Sequence, residues 1–207
     1  ASFIIQWAVL YSLKDNVGGY SFNQVMLLWG MAAGTYGISR FFFKKAFNLS
    51  EIINNGKLDS FLVQPKNVLL STITTDVEPS ALDDLLYAYI MLFVYGFSVK
   101  NFLLFTLFIV CGGLMLVAIA VILGSLSFWF SKSDIISDTG NSLMVNFASY
   151  PDGIFKGEEK ILLFTLIPVG IANYLPVHVI SNFDLINFLI IIGVTILLVF
   201  LAFFVFY

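Results

Sequence analysis

Residues 102–130 and 186–207 contain no charged side chain, and this constrains the fold more than any other feature. An α-helix rises 1.5 Å per residue, so each run is long enough to cross about 30 Å of hydrocarbon. A chain that puts such runs in lipid must satisfy every backbone N–H and C=O internally, which leaves helices or a closed barrel. Barrel strands alternate apolar and polar residues over roughly 10 positions, and FLLFTLFIVCGGLMLVAIAVILGSLSFWF does not alternate. The chain therefore reads as an all-α, polytopic helical membrane protein. Its 59% hydrophobic and 11% charged residues agree, since a soluble domain carries about twice that charge.

The remaining runs give the organisation. Residues 1–13 are apolar but too short to cross, and are expected to be the second half of a span. KDNVGGYS (14–21) carries a Gly-Gly turn, and a second span is expected over 22–43, ending beside Arg40, Lys44 and Lys45. Residues 46–80 are the longest polar stretch. Ser80-Ala-Leu-Asp83 resembles a capping box and opens an expected third span over 81–98. Lys100-Asn101 is expected to form a tight turn before the fourth span, 102–130. A more polar fifth helix is expected over 134–150, ended by Pro151-Asp152-Gly153. Residues 158–175 form two apolar halves, 161–167 and 169–175, split by Pro168 and closed by Pro176; each is too short to cross, which suggests a re-entrant hairpin. The last span covers 186–207. No boundary divides the chain, so 1–207 is read as a single transmembrane domain.

Much chemistry is excluded. A net charge of −3 gives no footing for nucleic acid. Cys111 is the only cysteine and His178 the only histidine, so neither an internal disulfide nor a thiol or His metal site is expected. Gly56-Lys57 lacks the upstream glycine of a P-loop, and no H-E-x-x-H or G-x-S-x-G occurs. No catalytic residue and no metal ligand are assigned. His178 reads as an interfacial residue and Cys111 as a packing residue. With 46–80 placed in the cytoplasm, Arg40, Lys44, Lys45, Lys57, Lys66 and Lys132 lie inside, against Lys14, Lys100, Lys156 and Lys160 outside, a modest bias in the expected direction. No acidic residue falls mid-span, where an ion-coupled carrier would keep one; Asp138 comes nearest, as a pathway or an interfacial residue.

Residues 47–66 are amphipathic. Leu49, Ile52 and Ile53 share one helical face, and Leu58, Phe61 and Leu62 repeat the spacing after Gly56. The helix is expected to break at Asn55-Gly56 and to stop before Pro65. Such a segment either lies on the membrane surface or serves as a docking site for a soluble partner.

Asn55-Gly56-Lys57-Leu58-Asp59-Ser60-Phe61-Leu62-Val63-Gln64-Pro65-Lys66 resembles the G-x-L-D-x-x-L-x-x-P segment of permeases of the type-2 ABC exporter class. The stretch from Pro151 through Pro168 to Pro176 resembles, more weakly, that family's outer re-entrant region. The resemblance implies six spans, a cytoplasmic coupling helix, and two permease subunits, identical or diverged, around one pathway. It also implies separate ABC ATP-binding subunits that carry ATP and Mg, so that this chain itself binds no cofactor. Gly56, Leu58, Asp59, Leu62 and Pro65 would mark the coupling segment, with Glu51, Asn55, Lys57, Gln64 and Lys66 as its polar contacts. Asn141, Asn146, Ser149 and Tyr150 would line the pathway, unless they are helix-to-helix hydrogen-bonding groups. Pro168 and Pro176 would shape an outer gate. The implied location is a cell membrane of the prokaryotic inner or plasma-membrane kind, in contact with lipid.

Other readings stay open on the residues alone. An importer's membrane component would be expected to carry an Arg-containing coupling motif. A channel would not need the 47–66 segment, and a membrane-embedded lipid enzyme would have only Asp83 and Asp84 as an adjacent acidic pair. A lining of Phe, Leu and Asn suits a hydrophobic or amphipathic substrate.

Overall fold

A computed structural model describes residues 18–130, 133–148, 150–154 and 168–207. The expected span over 1–13, most of the 14–21 turn, Ser149, and the 158–167 half of the hairpin lie outside the described residues. Those described form helices and turns, with no strand among them.

Helix α1 runs from Phe22 to Phe43. Its start is a true capping box: the Ser21 hydroxyl accepts from the Gln24 N–H while Gln24 Oε1 accepts from the Ser21 N–H at 2.9 Å. A 3₁₀ turn, Lys44–Ala46, leads into three short helices: α2 (Leu49–Asn54), α3 (Asp59–Leu62) and α4 (Val68–Ile73). The longer α5 (Ala81–Gly96) and α6 (Val99–Ser125) follow, the latter extended by a 3₁₀ turn, Leu126–Phe128. Then come α7 (Ser133–Ala148), α8 (a π-helical turn, Gly170–Tyr174, running into Leu175–Ser181) and α9 (Leu185–Phe206).

Small residues set the core. Gly30 and Gly34 of α1, four apart, let its backbone approach α5 and α6. A Cβ at Gly30 would sit 2.9 Å from Met91 Cβ, and one at Gly34 would sit 2.7 Å from Ile109 Cγ2. Such close backbone approach is how helices associate where lipid supplies no hydrophobic drive. Farther along, Gly112 and Gly113 of α6 receive Thr35 and Ile38. Helices α6 and α9 lie parallel, with Phe108 on Phe188 near one end and Phe128 on Phe206 at the other.

The outer faces identify the solvent. Helix α5 exposes Leu82, Leu86, Ile90 and Phe93, a stripe at helical spacing, and only 17% of the apolar window of α9 is buried. Water does not tolerate contiguous apolar faces of this extent. Among the described residues, two helices, Val99–Phe128 and Leu185–Phe206, are long and apolar enough to cross a membrane. Helices α5 and α7 have 16 residues each, about 24 Å.

Three local expectations are corrected. Ser80 is not a capping-box residue: it already has helical φ/ψ, and its hydroxyl turns back to Glu78 at 3.4 Å. The chain is wound before Ala81 by short-range bonds such as Ala81 N–H to the Glu78 carbonyl, so the side chain is not placed to reach forward. The tight turn lies at Gly96–Ser98, not Lys100-Asn101, because Gly96 takes φ +142, and Lys100 and Asn101 belong to α6. Pro176 does not close its apolar half; the helix continues through it to Ser181. A proline ring crowds the carbonyl four residues back, and arrival by a wide π turn relieves that crowding.

Candidate functional site

The segment 47–66 has two limbs with different surroundings. Gly56 at φ +68 separates them, in a backbone region that other residues enter only with strain. The first limb is packed into the bundle: Leu49 and Ile52 are buried, and Leu49 rests on Gly124 of α6, where a Cβ would come within 2.8 Å. Asn54 Nδ2 donates to Asp134 Oδ1 at the start of α7. The second limb is open. Leu58 is buried but Phe61 only half so, and Leu62 and Val63 are 58% and 84% exposed. The expected stripe of Leu58, Phe61 and Leu62 is therefore not one buried face, because the turn at Gly56 redirects the chain.

The polar candidates fall into two groups. Glu51, Asn55 and Lys57 come together: Lys57 Nζ lies 3.9 Å from Glu51 Oε1, and Asn55 Nδ2 donates to the same oxygen at 3.4 Å. An exposed pair of this kind contributes about 0–1 kcal/mol, so it orients the turn more than it holds it. Asp59, Gln64, Pro65 and Lys66 are exposed on the second limb, where Gln64 Nε2 donates to the Ser60 carbonyl at 3.2 Å.

A crevice lies between α1, α5 and α7, made of two cavities that share Tyr36 and Val145. The polar one, about 400 Å³, is bounded by Arg40, Phe47, Asp138, Asn141 and Asn146. The more apolar one, about 360 Å³, is bounded by Trp29, Asp84, Tyr87, Met144 and Asn173. From Trp29 to Arg40 the crevice follows α1 for about 16 Å. Arg40 sits at its end, 3.6 Å from Glu78 and over the rings of Tyr36 (5.1 Å) and Phe47 (4.7 Å).

Of the four pathway candidates, Asn141 and Asn146 line this crevice. Tyr150 does not: it borders a separate cavity with Phe147 and Ile154, which Asn146 also touches. Ser149 lies outside the described residues. Asp84, Tyr87, Thr35 and Asn173 were not among the candidates. They stand on α1, α5 and α8, and only the packing of these separate helices brings them to one cavity.

At the opposite end of the bundle, Pro168 and Pro176 are buried and flank the π turn. The Tyr174 hydroxyl donates to the Phe147 carbonyl at 2.7 Å, tying α8 to α7. Ser181 Oγ takes Gln24 Nε2 at 3.3 Å and the Tyr95 hydroxyl at 3.2 Å, which pins α8 to α1 and α5. Tyr20 Oη lies 3.1 Å from His178 Nε2, with Asp152 Oδ1 3.9 Å from the same nitrogen. Burial, reinforced by the Asp152 carboxylate, raises the Tyr20 phenol far above its ordinary value and keeps it protonated.

The described residues thus define a helical membrane bundle with a crevice between its helices and an exposed polar segment at one end. The chain belongs to the ABC-2 family transporter proteins, whose model matches residues 1–207. Comparisons with curated proteins and with solved structures found no match. Family membership makes the chain the membrane permease of an ABC transporter, a kind of transport subunit generally without catalysis of its own, which associates with an ABC ATP-binding subunit.

Proposed function

We infer that this permease is an exporter subunit and that 47–66 is its coupling segment. It works as one of a pair, each with six spans and an outer re-entrant hairpin around a shared pathway, above ATPase subunits that bind ATP and Mg. The observation that carries this reading is the division at Gly56. One limb is anchored to α6 through Leu49 and to α7 through Asn54–Asp134, while the other presents Asp59, Leu62, Val63 and Lys66 outward. A segment that only lay on lipid would turn its apolar residues to one face; this one buries Leu49, Ile52 and Leu58 and exposes Leu62 and Val63 at the far end of the second limb.

The mechanism is mechanical. Closure of the ATPase dimer pushes the exposed limb, and the anchored limb passes the displacement to α6 and α7. Helix α7 forms a wall of the crevice, so its movement changes what the crevice can hold. ATP shifts the balance of two states only if the ATPase grips the exposed limb differently in each.

The test is co-purification of an ATP-hydrolysing subunit with the full-length permease in detergent, comparing wild type with Asp59→Arg and Val63→Glu. Both positions are exposed, so the permease fold is kept. Loss of the ATPase in both variants is expected. Retention in both, or a wild-type permease that emerges alone, overturns the coupling reading and favours a membrane-surface helix.

A further inference from the structure

We propose that the crevice takes a cationic amphiphile, an aromatic or apolar body bearing an ammonium group with N–H donors. The proposal rests on the permease reading and names the substrate class of that crevice.

Three observations carry it. First, the free charge facing the crevice is acidic. Arg40 is the cation lining it and is engaged with Glu78, while Asp84 and Asp138 have no ion-pair partner among the described residues. Second, the walls around Asp84 are aromatic, with Trp29, Tyr36 and Tyr87 lining the same cavity. A carboxylate among aromatic faces favours a cation twice, by charge and by the negative ring faces. Third, Asn173 is 1% exposed, lines the cavity, and its Oδ1 has no hydrogen-bond partner. A buried carbonyl oxygen left without a donor is costly, and an ammonium N–H is the donor a ligand would bring. Met144 and Leu116 complete an apolar floor for the body, and a volume of about 360 Å³ lies within the range of small-molecule pockets.

The experiment measures equilibrium binding to the full-length permease in a non-ionic detergent, with three fluorescent probes that share one ring system. 1-Pyrenemethylammonium offers charge and N–H donors; its N,N,N-trimethyl analogue offers charge alone; 1-pyrenesulfonate reverses the charge. Saturable binding of the first, with no competition from the sulfonate, is expected. Asp84→Asn should weaken binding about tenfold. Asn173→Ala should abolish the preference for the N–H form over the trimethyl form. Equal or tighter binding of the sulfonate overturns the proposal and points to an anion at Arg40. Unchanged affinity in Asp84→Asn, or no saturable binding, also overturns it. The sulfonate comparison uses wild-type protein, so it stands even if a variant folds poorly. No ATPase is present, so a permease that binds the ammonium but never an ATPase sinks the coupling reading alone, and the converse sinks only this one.

Discussion

Placing a side chain at Gly30 tests whether the α1–α5 contact is what holds the bundle. A Cβ there would lie 2.9 Å from Met91 Cβ and 3.0 Å from the Ala88 carbonyl oxygen. Neither atom can rotate away, because one is bonded to the α5 backbone and the other is part of it. Ordinary contact begins near 3.4 Å, so the helices must part by about 0.5 Å. Overpacking of this kind costs about 1–3 kcal/mol. Alanine recovers up to about 1 kcal/mol through helix propensity, whereas valine adds bulk and recovers less. Gly30→Ala should therefore lose about 0–2 kcal/mol and Gly30→Val about 2 kcal/mol or more. On the scale of a chain this size, 2 kcal/mol is a fall in Tm of roughly 4–8 °C. Gly193→Ala is the control, since nothing lies within 4 Å of a Cβ there on α9, and it should be neutral or slightly stabilising. The assay is thermal unfolding of the full-length permease in detergent, followed by fluorescence and by size-exclusion of the surviving peak. A Gly30→Val protein as stable as wild type, or a Gly193→Ala protein damaged to the same degree, would refute the reasoning.

Three further outcomes follow from single contacts. Tyr174→Phe removes one of two donors to the Phe147 carbonyl, which still accepts from the Tyr150 N–H at 3.3 Å, and should cost about 0.5–1.5 kcal/mol in the same unfolding assay. Thr35 is 1% exposed with an unpartnered hydroxyl, so Thr35→Val should leave Tm unchanged or raise it by a few degrees. Ser181→Ala should loosen the junction of α8 with Gln24 and Tyr95, seen as faster amide exchange at 175–181 while α6 stays protected.

The helical character of the chain was legible because lipid leaves the backbone few alternatives, and charge-free runs such as 186–207 declare it directly. The break in the polar segment was legible too: Gly56 interrupts an apolar spacing, and it holds the positive φ that divides the limbs. Turn chemistry was read less well. Ser21-x-x-Gln24 and Ser80-x-x-Asp83 offer similar patterns, but the first caps a helix and the second does not, since Ser80 is already wound into a helical turn. Pro176 misled for a related reason, because a π turn lets a helix pass a proline that an α turn would not admit. The crevice was partly legible. Asn141 and Asn146 drew notice through the resemblance, as polar residues of the more polar fifth helix, but Asp84 stood at a helix start, where an acid needs no other explanation. Its place in one cavity with Asn173 comes from α5 and α8 packing around α1, and no local pattern records that.

Gly56 itself gives the sharpest test of the two-limbed segment. Nothing lies within 4 Å of where its Cβ would be, so a substitution there acts through the backbone alone. At φ +68 an alanine costs about 1 kcal/mol relative to glycine, roughly a fivefold fall in the population of the formed turn. Asparagine enters this region more readily than other side chains and should cost less. Proline cannot adopt the angle, and it also deletes the N–H that bonds the Ile53 carbonyl at 3.0 Å. Co-purification of the ATPase should therefore rank glycine and asparagine above alanine, and alanine above proline, while the permease alone keeps its Tm in all four because the turn is exposed. If alanine matched glycine, or asparagine failed as badly as proline, the left-handed turn would not be what holds the exposed limb in place for a partner. The docking surface would then be a sequence of side chains and not a shape.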